Sequence, residues 1–267
     1  MGKVIAVANQ KGGVGKSTTV VNLAAYLGSR GKKVLCIDID AQGNATTGFG
    51  IKKKGLKVSA YDILIGKAKI EDAIIVTEFE NVSIVPATSD IAGAEIEMAQ
   101  MEDRFRRLKM QVLSVKEQYD FILIDCPPAL GLLTLNGLTA CDEVLIPMLA
   151  EYYALEGLTQ LLNTLKHVRS NFNPSLQICG ILFTMYDNRL NVSRQVVDEV
   201  TKYFPDQIFN TKIPRNVRLS EAPSYGKPVM YYDRGSKGAL FYELLGKEIL
   251  GEELDNDTKW RVRLAMT

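Results

Sequence analysis

Between Asn9 and Thr19 the chain reads Asn-Gln-Lys-Gly-Gly-Val-Gly-Lys-Ser-Thr-Thr. The apolar run Val4–Ala8 precedes it, and Val20, Val21, Leu23 and Leu27 follow at helical spacing. That order predicts a strand, a glycine-rich loop and a helix. Gly12, Gly13 and Gly15, with Val14 between them, let successive backbone N–H groups converge on a phosphate, to which the helix N-terminus adds its dipole. Lys16 would reach the β- and γ-phosphates of a nucleotide and Ser17 would offer its hydroxyl to Mg²⁺, with Thr18 completing the nucleotide-binding stretch. The strict pattern G-x-x-x-x-G-K-[ST] needs glycine at position 10, where this chain has Gln10, and a second lysine, Lys11, heads the loop.

Two further apolar runs end in acids. Val34–Ile39 leads through Asp38 to Asp40 and the turn Ala41-Gln42-Gly43-Asn44, the strand end at which a water is oriented toward a γ-phosphate. Asp40 is the choice for that water, and Asp38 for support of Mg²⁺ or the loop; a turn-forming role is the plain alternative for either. Phe121–Ile124 ends at Asp125, which should hold Mg²⁺ through its water. Pro127 and Pro128 stiffen the loop behind it. Cys36, Cys126, Cys141 and Cys179 contain no C-x-x-C pair and read as buried thiols rather than as a zinc or disulfide framework. His167, the only histidine, lies beside a buried stripe and reads as a surface residue.

These residues must be held by a frame. Strand-length apolar runs recur at Val82–Val85, Val144–Met148 and Ile178–Thr184, with Ile208–Ile213 a weaker one. Between them Leu155 to Val168, Val192 to Val200 and Met101 to Val115 keep helical spacing. Strands of continuous hydrophobicity are covered on both faces, so the alternation predicts an α/β fold with a single doubly wound, mostly parallel sheet flanked by helices. Residues 1–251 form the expected domain, and 252–267 a polar tail that frays. With 46% hydrophobic and 24% charged residues the chain is globular rather than disordered. A net charge of +1 excludes coating of nucleic acid through overall charge. No run of eighteen apolar residues occurs, and the first strand starts by Val4, so a soluble, cytoplasmic protein without membrane contact is expected.

The K-G-G-x-G-K-S loop resembles the deviant Walker A motif of the ParA/MinD class of P-loop ATPases. In that class the first lysine points across a dimer interface at the partner's nucleotide, a role that falls on Lys11. Four further stretches look like the chromosomal ParA proteins called Soj: residues 92–97, 126–136, 151–158 and, most specifically, the Ile-Pro-Arg-Asn-Val-Arg-Leu-Ser-Glu-Ala-Pro-Ser-Tyr-Gly-Lys-Pro of 213–228. Ala41 departs from the family's usual proline, and Ser17 replaces threonine conservatively. The resemblance implies an ATP-dependent sandwich homodimer that binds double-stranded DNA non-specifically. It also implies slow, Mg²⁺-dependent hydrolysis of ATP, stimulation by a ParB-like centromere-binding partner, association with the nucleoid when ATP-bound, and partitioning of a chromosome or plasmid. By the same resemblance Lys11, Lys16, Asp40 and Asp125 match motif positions, Pro214 and Asn216 line the adenine pocket, and Arg189 and Arg218 contact DNA.

Charge placement agrees with a DNA partner. From Lys212 to Lys237 there are six bases against Glu221 and Asp233, a balance of 6 − 2 = +4. Pairing of Arg218 with Glu221 on one helix is the plain alternative. A MinD-like membrane-positioning ATPase is the rival, and Trp260 to Met266 offers it only a short basic-apolar turn or two. An iron–sulfur carrier lacks its cysteine ligands.

Overall fold

The structure, a computed structural model, describes residues 2–152 and 154–266, the last three by backbone alone. Tyr153, within the family-like stretch 151–158, lies outside them. Alternate residues of each strand enter opposite cores: Val4 and Ala6 pack with Leu35, Ile37, Ile122 and Ile124, while Ile5 and Val7 pack with Val34, Cys36 and Leu123. Both faces are therefore apolar, which is why the runs show no polar alternation. The strands are β1 (Lys3–Val7), β2 (Val34–Asp38), β3 (Ile75–Val76), β4 (Val82–Val85), β5 (Phe121–Asp125), β6 (Glu143–Leu149) and β7 (Gln177–Thr184). They lie in the order β3-β4-β2-β5-β1-β6-β7, parallel except for the antiparallel β3. β1 sits between β5 and β6, so the glycine-rich loop leaves the middle of the sheet, and Asp38 and Asp125 stand side by side in register on β2 and β5.

Three expectations change. The run Ile208–Ile213 makes no strand: it meets the edge through the Ile181–Ile208 and Tyr186–Pro214 bridges and through the Ile213 N–H donating to the Phe183 carbonyl (2.8 Å), because the Glu248 carboxylate accepts from the N–H groups of Asn210 and Thr211 (2.6 and 3.0 Å). The helix expected from Met101 begins only at Arg107. Asn136 is the cause, since its amide donates to the Arg104 carbonyl (2.7 Å) while its oxygen accepts from the Leu108 N–H (3.1 Å), the two groups that would otherwise bond each other in a helix.

The third change is at the C-terminus, where the polar tail does not fray but forms a helix over Asn256–Met266. The nearly buried Lys247 anchors it, holding the Asp255 carboxylate and donating to Thr258 Oγ1 (2.9 Å), while Arg261 pairs with Glu243 (2.8 Å). The Lys247 ammonium keeps the Asp255 carboxyl well below its usual range. Among the described residues no helix is long and apolar enough to cross a membrane.

The helix Lys16–Ser29, which carries the phosphate loop, is backed by the helix Lys237–Leu250. Their close approach depends on Gly246, where an added Cβ would come within 2.0 Å of the buried Tyr26 ring. Gly246→Ala gains up to about 1 kcal/mol of helix propensity but overpacks a ring with no free space. A net loss of about 1–2 kcal/mol is expected. A thermal melt showing the variant as stable as the parent would refute this account of the packing.

Candidate nucleotide site

Backbone conformation builds the loop before any side chain acts. Gly13 and Gly15 adopt φ of +73° and +86°, the left-handed region in which a Cβ is strained. No side chain caps the helix after Gly15 and its first turn holds no acid, so its leading N–H groups are available to an anion. The loop is clamped from outside. Thr184 Oγ1 at the end of β7 donates to the Val14 carbonyl (2.8 Å), and Asn9 accepts from the Lys11 N–H (3.0 Å) while donating to the Pro147 carbonyl (2.7 Å).

A cavity of about 490 Å³ opens over this loop. Gly12, Gly13, Gly15, Lys16, Ser17 and Thr18 form its floor; Asp40, Gln42 and Asn44 form one wall; Met185, Ala222, Pro223 and Lys227 form the far side. Lys16 is only 6% exposed, and its ammonium donates to the Lys11 carbonyl (3.2 Å). Burial lowers its pKa against the opposing pull of Asp125, Cys126 and Asp40.

Three carboxylates lie behind the loop. Asp38 is fully buried and accepts from the Asp40 N–H (3.1 Å), the Thr46 N–H (2.8 Å) and Thr46 Oγ1 (2.7 Å). Burial raises its pKa to about 6 despite these bonds. Asp40 faces the cavity and accepts from the Gln42 N–H (3.0 Å). Asp125 is fully buried with no hydrogen-bond partner for either carboxylate oxygen among the described residues. Burial, reinforced by Asp38, pushes its pKa well above the carboxylate range, and Ser17 and Lys16 oppose the rise. An orphaned carboxylate beside a serine hydroxyl fits a hard cation. Mg²⁺ is such a cation, and it takes most of its ligands from phosphates and water.

The structure thus brings Gly12, Gly13, Gly15, Lys16, Ser17, Thr18 and Asp40 to one cavity, with Asp125 and Asp38 beneath it and Val14 turned into the core. Lys11 lies outside, its ammonium 2.7 Å from Glu151 Oε2. Pro214 and Asn216 also lie outside. The bridge to Tyr186 ties Pro214 to the sheet edge, where it lines a separate groove, and Asn216 spends its side-chain oxygen capping the helix Val217–Glu221. Arg189 forms a two-bond fork with Asp187 (2.6 and 2.9 Å). Arg218 pairs with both Glu221 (2.7 Å) and Asp233 (3.1 Å). Sequence reading missed Thr46, Met185, Lys227 and Glu151. Only Thr46, two residues beyond the Asp-rich turn, carried a local signal, as a candidate hydroxyl donor to the preceding acids.

An AAA-domain family model matches residues 2–178. The chain is 56% identical to the sporulation initiation inhibitor protein Soj of Bacillus subtilis over 93% of its own length and 98% of that protein's. It is 52% identical to the chromosome-partitioning ATPase Soj of Treponema pallidum, over 95% and 99% respectively. Among solved structures it is similar to cobyrinic acid a,c-diamide synthase from Mycobacterium smegmatis with bound ATP analog and magnesium: TM-score 0.82, 36% identity, 94% of this chain and 95% of that one.

Proposed function

The chain belongs to the Soj/ParA family of chromosome-partitioning AAA-domain ATPases, and on that premise we propose that it binds Mg²⁺-ATP in the cavity over residues 12–18 and hydrolyses it slowly. ATP closes a sandwich dimer that holds double-stranded DNA without sequence preference, and a ParB-like partner stimulates hydrolysis and release. One observation carries the reading: Lys16, Ser17 and Asp40 line a single cavity at an uncapped helix start, with the orphaned Asp125 beneath. A protein that only bound DNA would have no use for that set.

Lys16 balances the charge of the β- and γ-phosphates, and the loop N–H groups hold them in place. Asp40, fixed by the Gln42 N–H, orients the attacking water. Ser17, and Asp125 through water, would hold Mg²⁺, with Asp38 supporting the turn through Thr46. When bound, the ion neutralises charge on the phosphates. DNA retention measured in parallel with ATP, ADP and no nucleotide tests the scheme. Equal retention in all three would reject it.

The DNA surface includes Arg189 and Arg218 and their basic neighbours. Glu221 and Asp233, the only acids between 212 and 237, are both spent on Arg218. Lys212, Arg215 and Lys237 share with Arg189 a groove of about 1060 Å³. Each arginine replaced by alanine removes two phosphate contacts per dimer, so Arg189→Ala and Arg218→Ala should each flatten the log–log salt dependence of DNA binding by about 2. A slope unaltered in both variants would remove these arginines from the surface.

A further inference from the structure

Just beyond the switch turn that carries Asp40, the chain reads Ile51-Lys52-Lys53-Lys54-Gly55-Leu56-Lys57, four lysines with no acid among them. Lys52, Lys54 and Lys57 are exposed, and among the described residues none of the three has an ion-pair or hydrogen-bond partner for its ammonium. Two other exposed bases of this chain are paired, Arg30 with Glu252 and Lys202 with Glu199. The fourth lysine has a different task. Lys53 donates to the Gln42 carbonyl and lies across Gly43, where a Cβ would meet its Cε at 2.6 Å. Lys53 thereby anchors the loop beside the turn that Asp40 organises.

A second contact sets the loop next to the basic segment. Gly50 and Gly226 meet backbone to backbone: a Cβ on Gly226 would lie 2.6 Å from the Gly50 Cα. Lys227, at the mouth of the nucleotide cavity, follows directly, and with it the 212–237 stretch of net charge +4. The free lysines therefore continue an existing positive surface rather than forming an isolated patch.

We propose that the loop Lys52–Lys57 is a further contact for the DNA phosphate backbone. This rests on the DNA-binding reading given above. The loop's exposed positions hold no aromatic or aliphatic anchor of the kind that carries protein–protein affinity. Phosphates need no anchor: flexible point charges that release counterions suffice, which is what unpaired lysines offer.

The test is a salt titration of the full-length protein with ATP and Mg²⁺ on double-stranded DNA of arbitrary sequence, comparing the parent with the triple variant Lys52→Gln/Lys54→Gln/Lys57→Gln. Three contacts in each of two protomers predict a salt slope shallower by up to about 5. ATP affinity, ATP-dependent dimerisation and hydrolysis without DNA should not change. The matching triple arginine variant should keep the parental slope. A parental slope in the glutamine variant, when the parent itself holds DNA with ATP, overturns the loop contact and leaves the DNA reading standing. A parent that fails to hold DNA overturns both. An unchanged slope with lost stimulation by the ParB-like partner would assign the loop to that protein instead and overturn the proposal.

Discussion

Lys16→Ala should abolish ATP binding in a protein that still folds. The ammonium sits at the start of the loop helix, nearly buried, with Asp125 and Asp40 as its charged neighbours. Burial disfavours its charge there, and an arriving triphosphate would favour it. Two charge-assisted hydrogen bonds to phosphate, worth roughly 1.5–3 kcal/mol each, correspond to a loss of about 10²- to 10⁴-fold in affinity. The fold loses little, because among the described residues the only hydrogen bond of that ammonium is to the Lys11 carbonyl. Calorimetry should find no heat of ATP binding, while circular dichroism and the thermal melt stay near the parent's. Parental affinity in this variant would remove the nucleotide from the cavity.

Asp40→Ala and Lys11→Ala should move the dimer equilibrium in opposite directions. If Asp40 orients the attacking water, as proposed, its loss should let ATP persist and the dimer accumulate. If Lys11 bridges to the partner's γ-phosphate, its loss should leave a monomer with ATP. Swinging a population from 1% to 99% takes about 5.5 kcal/mol of differential binding. The Lys11–Glu151 pair seen in the single chain opposes this only weakly, since both side chains are around half exposed and such pairs are worth about 1 kcal/mol or less. Glu151→Gln should therefore shift the dimer midpoint far less than Lys11→Ala does. Sedimentation with ATP and Mg²⁺ distinguishes the cases: a monomeric Asp40→Ala protein, or a parent dimer equally stable with ADP, would sink the switch.

The central sheet and phosphate loop were legible because their signals are local. A both-faces-buried strand is apolar throughout, and a glycine-rich turn between strand and helix has few other uses. What was not legible depends on contacts distant in sequence. Asn136 interrupts a helix thirty-odd residues earlier by inserting between Arg104 and Leu108, and nothing in the periodicity of 101–115 announces it. Glu248 prevents a strand at 208–213 in the same way. The polar composition of 252–267 hid a helix because its anchor, Lys247, belongs to the preceding element. In the site, Lys16, Ser17, Asp40 and Asp125 follow from motif spacing. Met185 and Lys227 reach the cavity only through tertiary folding, and the expectation for Pro214 and Asn216 came from resemblance rather than from any local signal.

The treatment of the sheet's two borders bears on solubility. At one border β3 is two residues long and runs against its neighbour; at the other, the segment after Gln207 lies along β7, accepting and donating at Ile181 and Phe183. Between those points the Asn210 and Thr211 N–H groups are taken by the Glu248 carboxylate. Among the described residues neither border offers a long row of open backbone groups onto which another copy's strand could add. If many copies gather along one DNA polymer, as proposed above, such blunt borders would keep high local concentration from turning into cross-β aggregation. Reversible clustering would then be left to nucleotide and salt, both of which can be withdrawn.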